Sequence, residues 1–306
     1  MQTRSRVLDF TAPLAFGLLL TVICSLATAQ NFDDVEIQTT KVADGVYALQ
    51  GRGGNLGLVV GNRGAFLIDD QYAPLTDPIL AAIDEITDLP LQFVFNTHWH
   101  SDHTGGNKNL AETGALIVAH DNVRKRLEAG QLIEFFNSEV PPAPDTALPV
   151  VTFSDTVTFH LGGHTVHAEH VANAHTDGDS IVRLEEANVI HTGDLVFYNM
   201  YPFIDYSSGG NLGGMVRAAD RILELADDNT KIIVGHGGPV INQTQMTDYR
   251  DLLAGIHQRM QQMISEGNSL NEILEANLLA DYEDQWGSGF INAKRWVELI
   301  YHGETK

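Results

Sequence analysis

The chain has 306 residues, of which 43% are of hydrophobic types, and its formal net charge is −22. This apolar fraction is enough for a full core and excludes wholesale disorder. The 40 acidic against 18 basic side chains argue against a nucleic-acid or anionic-membrane partner, because phosphate-rich surfaces attract basic proteins. A folded protein with a small-molecule substrate is the class that these numbers leave open.

Residues 1–29 have the pattern of a secretory signal peptide. Arg4 and Arg6 precede an apolar stretch at about 12–26, and Ala27-Thr28-Ala29 is the small-x-small sequence that signal peptidase recognises. An uncleaved anchor is the alternative, although the apolar run is short for a membrane span. We therefore expect a periplasmic or secreted protein whose residues 30–306 form a single domain.

Signal cleavage is directly testable. The one cysteine, Cys24, would leave with the signal, so the remaining chain could form no disulfide, and we expect no membrane partner after cleavage. Mass spectrometry of the exported protein should give Gln30 as the first residue. A purified, functional protein that retains Met1 would contradict cleavage.

In chain order, the sequence predicts two blocks of strands, each followed by helices. The first block has strands at 46–49, 56–60 and 65–70, a helix at 77–86 and a buried strand at 91–96. The second has strands at 116–119, 150–153, 156–160, 165–170, 180–184 and 188–192, a helix at 215–226, a strand at 231–234, and helices at 248–264 and 270–279. This order predicts an α/β fold in which two sheets pack on each other with helices outside.

Two irregular stretches interrupt these elements. Pro141-Pro142-Ala143-Pro144 predicts an exposed loop or lid. The stretch 197–214 contains five aromatic residues within its first ten positions, which fits either ordinary packing or the wall of an apolar pocket.

The segment after the strand at 91–96 carries the strongest chemical signal. It reads His98-Trp99-His100-Ser101-Asp102-His103, with four metal-ligand side chains within six residues. Buried imidazoles and carboxylates are costly without partners, so packing alone would not select them. Imidazole suits zinc, and a nearby carboxylate suits a second ion. The segment therefore predicts a metal site.

This H-x-H-x-D-H pattern resembles the signature of the metallo-β-lactamase superfamily, and the resemblance extends over most of the chain after residue 30. The family's later metal motifs resemble Ala174-His175-Thr176-Asp177-Gly178-Asp179-Ser180, His191-Thr192-Gly193-Asp194-Leu195 and Gly235-His236-Gly237-Gly238-Pro239. The resemblance implies a four-layer αββα sandwich with two zinc ions in a cleft at one edge of the sheets.

Carried over position by position, the resemblance implies seven metal ligands. The first Zn2+ would be bound by His98, His100 and His175, and the second by Asp102, His103 and His236, with Asp194 bridging the two or completing the second set. It also implies hydrolysis by a zinc-bound hydroxide. Asp102 would be the catalytic residue that orients this hydroxide and passes a proton to the leaving group.

The resemblance indicates the substrate class less directly than it indicates the metal ligands. Export to the periplasm favours β-lactams, and β-lactam hydrolysis is the first expectation. However, zinc β-lactamases of the clinical type usually carry cysteine or serine at the position of Asp194, and many have a lysine where this chain has Phe197. Asp194 resembles lactonases, thioesterases and hydroxyacylglutathione hydrolases, so lactone or thioester hydrolysis is the alternative.

Two functions of other classes remain open. An iron-dependent persulfide dioxygenase could use the same ligands, because imidazole and carboxylate also bind iron. A non-catalytic metal-binding protein is the other. About two zinc ions per chain would support a hydrolase, whereas one iron would support the dioxygenase.

Other polar residues receive supporting roles or none. His164 and His170 would share one face of a strand and His167 the other, so we expect no metal site there. Asp69, Asn96, Thr97 and His191 are candidates for supporting the metal ligands.

Overall fold

The computed structural model describes residues 31–306. The predicted signal peptide lies outside these residues. The described strands, in chain order, are β1 (Gln38–Ala43), β2 (Val46–Gln50), β3 (Leu56–Val60), β4 (Ala65–Ile68), β5 (Leu91–Asn96), β6 (Leu116–His120), β7 (Gln131–Ile133), β8 (Ser138–Val140), β9 (Val151–Phe153), β10 (Thr156–His160), β11 (Thr165–Val171), β12 (Asp179–Leu184), β13 (Val189–His191), β14 (Lys231–Ile233) and β15 (Val240–Ile241).

The strands form two mixed sheets and a separate hairpin. The first sheet has the order β1-β2-β3-β4-β5-β6-β9 and is parallel from β4 to β9. The second has the order β10 to β15, with one parallel pair, β13 and β14. β7 pairs only with β8. The residues of β4 are all buried, as a central strand covered on both faces requires.

Helices cover the outer faces of the sheets. They are α1 (Thr76–Asp84), α2 (Ser101–Thr104), α3 (Asn107–Glu112), α4 (Asp121–Ala129), α5 (Leu212–Leu225), α6 (Gln243–Ser265), α7 (Leu270–Glu275), α8 (Glu283–Trp286) and α9 (Ala293–Glu304). Within residues 31–306 we find no helix that is both long and apolar enough to span a bilayer.

Three clusters of buried apolar side chains fix the order of the layers. Between the sheets, Phe66 and Phe95 of the first share a cluster with Val166 and Val182 of the second. α1 packs on the outer side of the first sheet, where its Ile79 belongs to a second cluster. α5, α6 and α9 supply many side chains of a third cluster, on the outer side of the second sheet. This αββα sandwich confirms the predicted fold class.

Helix boundaries differ from the predictions where local hydrogen bonding decides them. α6 begins at Gln243 rather than 248, because Asn242 and Gln245 form a capping box ahead of the apolar repeat. The helix predicted over 270–279 ends at Glu275, and Asn277 takes a left-handed φ of 49°. Among the described elements, the sequence did not predict helices α2, α3, α4, α8 and α9 or strands β1, β7, β8 and β15. Residues 141–144 form a mostly exposed loop after β8, as predicted.

Candidate metal centre

The seven predicted ligands lie in connecting segments at strand ends. The segment 98–103 follows β5 and enters α2, whereas His175 precedes β12. Asp194 lies in a 3₁₀ turn after β13, and His236 follows the parallel neighbour β14. Functional side chains on loops held by a rigid sheet scaffold are a common arrangement.

The first ligand group consists of His98, His100, His175 and Asp194, all buried, with one ligand atom of each within 4.8 Å of the others. His100 Nδ1 lies 3.1 Å from His98 Nε2 and 2.9 Å from His175 Nε2. Zinc–nitrogen bonds of ~2.0–2.1 Å in a tetrahedron separate the nitrogens by roughly 3.3 Å. The three imidazoles therefore converge with nearly the spacing that one zinc ion requires.

The second ligand group consists of Asp102, His103 and His236, again within 4.8 Å. His236 Nε2 lies 3.3 Å from Asp102 Oδ2. These two side chains are 19% and 21% exposed, whereas His103 is fully buried, so the group is open to solvent on one side only. The carboxylate of Asp194 lies between the groups: Oδ1 is 3.0 Å from His103 Nε2, and Oδ2 is 3.3 Å from His236 Nε2 and 3.5 Å from His175 Nε2.

The chemistry of these donors fits metal ions. His98 Nδ1 lies 3.1 Å from Thr97 Oγ1, and His175 Nδ1 donates to a backbone carbonyl at 2.8 Å. Their Nε2 lone pairs are therefore free to face the centre. His103 Nε2 and Asp194 Oδ1 are buried 3.0 Å from each other, and neither has a further hydrogen-bond partner within the described chain. Because buried polar atoms are rarely left unpaired, a cation between them accounts for their positions.

The pKa values of the imidazoles agree with this fit. Burial lowers the pKa of His98 well below its usual value and that of His175 to about 4, so both are neutral ligands at neutral pH. Burial also acts on His103, but the carboxylates of Asp194, Asp102 and Asp69 outweigh it and raise the pKa of His103 well above its usual value. The same carboxylates that attract a proton to this imidazole attract a metal cation.

The comparison with known families rests on this geometry. A model of the metallo-β-lactamase superfamily matches residues 49–253, which include all seven residues of the two ligand groups. The match covers more than half of the chain. The chain belongs to the metallo-β-lactamase superfamily.

The names of similar proteins within the superfamily indicate different activities. The hydroxyacylglutathione hydrolase of Erythrobacter litoralis is 34% identical over 105 residues, 34% of each chain. The metallo-β-lactamase type 2 of Bacteroides fragilis is 22% identical over 216 residues, 67% of this chain and 80% of that protein. A metallo-β-lactamase structure from Pontibacter korlensis aligns with a TM-score of 0.59 at 22% identity, over 72% of this chain and 99% of that one. The chain thus spans about a third of the length of the hydroxyacylglutathione hydrolase that it matches.

Three of the four predicted supporting residues contact the candidate metal ligands, and these are Asp69, Asn96 and Thr97. Asp69 accepts hydrogen bonds from Thr97 N at 2.7 Å, Thr97 Oγ1 at 2.8 Å and His103 Nδ1 at 2.8 Å. Its φ of 62° is uncommon for a residue with a side chain. Asn96 donates to the carbonyl of His103 at 3.2 Å. His191 instead accepts from Gly193 N, next to Asp194, at 3.2 Å.

Two glycines that sequence reasoning left unassigned leave room for the ligands. A Cβ added to Gly54 would clash with the imidazole of His103, and one added to Gly235 would clash with Asp194 Oδ1. Gly235 was visible in the last motif, but no local pattern marked Gly54, which lies 49 residues before its neighbour. Both positions need glycine because the backbone passes against a ligand side chain.

The remaining histidines lie outside the two ligand groups. His167 pairs with Thr158 Oγ1 at 2.9 Å, and His170 stacks on His120 with ring centroids 3.6 Å apart. His164 belongs to neither group. His164 directly precedes β11, whereas His167 and His170 lie within it.

Asp205 is a supporting residue that the sequence analysis missed. Its Oδ2 accepts a hydrogen bond from His100 Nε2 at 3.1 Å, and the residue is 1% exposed. Because Nε2 of His100 is engaged in this bond, Nδ1 is the ring atom available to bind a metal ion, and it faces His98 and His175. No local signal could identify Asp205, because it lies 105 residues from His100.

We predict that Asp205→Asn weakens zinc binding at the first ligand group by roughly 10–100-fold, the range typical of changes behind a metal ligand. Affinity at the second group should stay close to native. Competition titration with a chromophoric chelator measures both, and Asp251→Asn, at an exposed position, is the matched control. Native affinity at both sites in Asp205→Asn and Asp205→Ala would show that Asp205 does not orient His100.

Proposed function

We propose that this protein is a metal-dependent hydrolase of carboxylic acid derivatives that uses two zinc ions, one in each ligand group. The observation that carries the proposal is the position of the Asp194 carboxylate, whose oxygens lie within 3.5 Å of His103 and His236 in the second ligand group and of His175 in the first. When bound, zinc lowers the pKa of water to ~7 and polarises a substrate carbonyl. The iron-dependent and non-catalytic alternatives predict a different metal content or no turnover.

Asp102 is the residue that we assign to proton transfer. Burial would raise its pKa, but His103 and His236 outweigh this effect and lower the pKa to about 2. Its carboxylate is therefore ionised at neutral pH and partly open to solvent. In this position it can orient the attacking water by accepting its hydrogen bond and can pass the proton to the leaving group.

The surroundings of His236 bear on the substrate. Phe197 is 1% exposed and stacks on the His236 imidazole with centroids 5.0 Å apart. An aromatic ring in this place offers no charge to the carboxylate of a β-lactam. This feature and the carboxylate ligand Asp194 support esters, thioesters and lactones as the first substrate class. β-Lactams are the second candidate, supported by the Bacteroides fragilis relative.

A hydrolysis screen of the zinc-loaded protein against esters, thioesters, lactones and β-lactams tests the proposal. We expect turnover of the first three classes and loss of it in Asp102→Asn, with Asp155→Asn at an exposed position as control. Turnover of β-lactams alone would reverse the order of the two candidates. A folded, zinc-loaded protein that hydrolyses none of them would contradict the hydrolase assignment.

A further inference from the structure

Four phenylalanine rings form a continuous arc from one ligand group to the other. We call Phe136, Phe197, Phe203 and Phe290 the phenylalanine arc. At one end, the ring centroid of Phe203 lies 5.7 Å from that of His100 and 5.8 Å from that of His175. At the other end, Phe197 stacks on His236. The arc therefore begins and ends on proposed metal ligands.

Two exposed rings complete the arc. The ring centroid of Phe136 lies 4.9 Å from that of Phe203 and 6.4 Å from that of Phe290. The centroid of Phe290 lies 6.4 Å from that of Phe197. Phe136 follows β7, whereas Phe290 lies between α8 and α9. Segments distant in sequence thus bring their aromatic rings into one connected row beside the ligand groups.

Burial separates the inner rings from the outer ones. Phe197 and Phe203 are 1% and 5% exposed, so core packing accounts for them. Phe136 and Phe290 are 42% and 59% exposed, so core packing does not. Two neighbouring exposed aromatic rings that connect to a candidate metal centre are typical of a binding surface.

We propose that the phenylalanine arc binds an apolar acyl group of the substrate, either aryl or medium-chain alkyl, attached to the scissile carbonyl. The inference rests on the proposed hydrolase function and specifies its substrate class. Continuity supports it: a carbonyl placed between the ligand groups would have its acyl substituent within reach of Phe203 or Phe197, with Phe136 and Phe290 next along the wall. The arc itself carries no charge, so it selects by apolar contact.

The test is a series of p-nitrophenyl esters from acetate to octanoate, hydrolysed by the zinc-loaded protein. We expect kcat/KM to rise by about twofold per methylene, less than full burial would give, because the outer wall is partly open. Phe136→Ala and Phe290→Ala should each reduce this dependence, and the double variant should remove most of it.

Leu116→Ala is the matched control. Leu116 is 45% exposed and begins β6, beside Phe93 at the start of β5, whereas segment 98–103 follows the other end of β5. We expect this variant to keep the full chain-length dependence. An equal loss of chain-length dependence in Leu116→Ala and in the arc variants would overturn the assignment to the arc.

Binding of octanoate and acetate, followed by calorimetry, separates the two proposals. Octanoate should bind at least tenfold more tightly than acetate, and the double arc variant should lose this difference. If no ester is hydrolysed but this binding difference is found, the arc inference stands and the hydrolase proposal fails. If esters are hydrolysed without chain-length dependence and octanoate binds no better than acetate, the arc inference is overturned and the hydrolase proposal stands.

Discussion

Replacement of His98 or His175 by alanine is expected to abolish hydrolysis. Both imidazoles are buried, and their Nε2 atoms face the same point as His100 Nδ1. Removal of a direct ligand should lower first-site zinc affinity by more than the roughly 10–100-fold that a change behind a ligand causes. Zinc titration and initial rates on the purified variants measure the two effects.

His167→Ala serves as the control for these variants. It removes an imidazole from β11 whose neighbour is Thr158, so we expect near-native zinc affinity and activity. Circular dichroism establishes that all three variants fold. Equal loss of activity in the three folded variants would mean that the metal ligands are wrongly assigned.

The Asp194→Asn variant should lose the second zinc ion, while the three imidazoles of the first ligand group should still hold the first. The carboxylate carries a negative charge towards both groups, since His103 and His236 lower the pKa of Asp194 well below its usual value against the effect of burial. An amide of the same shape removes that charge and binds zinc poorly. We expect second-site affinity to fall by more than roughly 100-fold, and excess zinc to restore hydrolysis only in part.

Metal analysis and zinc titration decide this prediction. Asp155→Asn, a change of the same kind at an exposed position, should bind two equivalents. If Asp194→Asn also binds two equivalents with native affinity, Asp194 is not a metal ligand and its place at the end of β13 is structural.

The ligand groups could be predicted from the sequence because each motif is local. His98, His100, Asp102 and His103 lie in one segment, and the other ligands follow recognisable strands. The layers could also be predicted from the sequence, since apolar periodicity marks both blocks of strands and α1. Chain order thus predicted two packed sheets with helices outside, and the resemblance implied the αββα sandwich.

The rest depends on tertiary contacts that no local pattern encodes. Asp205 contacts His100 across 105 residues, and Phe290 reaches the cleft from a segment between two helices. The aromatic stretch at 197–206 favoured ordinary packing over a pocket wall. Tyr201 is fully buried against Trp296, as packing predicts, whereas Phe203 is buried and also contacts ligand imidazoles.

Zinc titration of the metal-free protein, with hydrolysis of a thioester and an ester recorded at each addition, tests the central claim most directly. We expect activity to be absent without metal, to rise with added zinc and to reach its plateau at two equivalents per folded chain. Hydrolysis that persists in the metal-free protein, or a folded protein that binds two zinc ions and stays inactive on every substrate class, would contradict a two-zinc hydrolase.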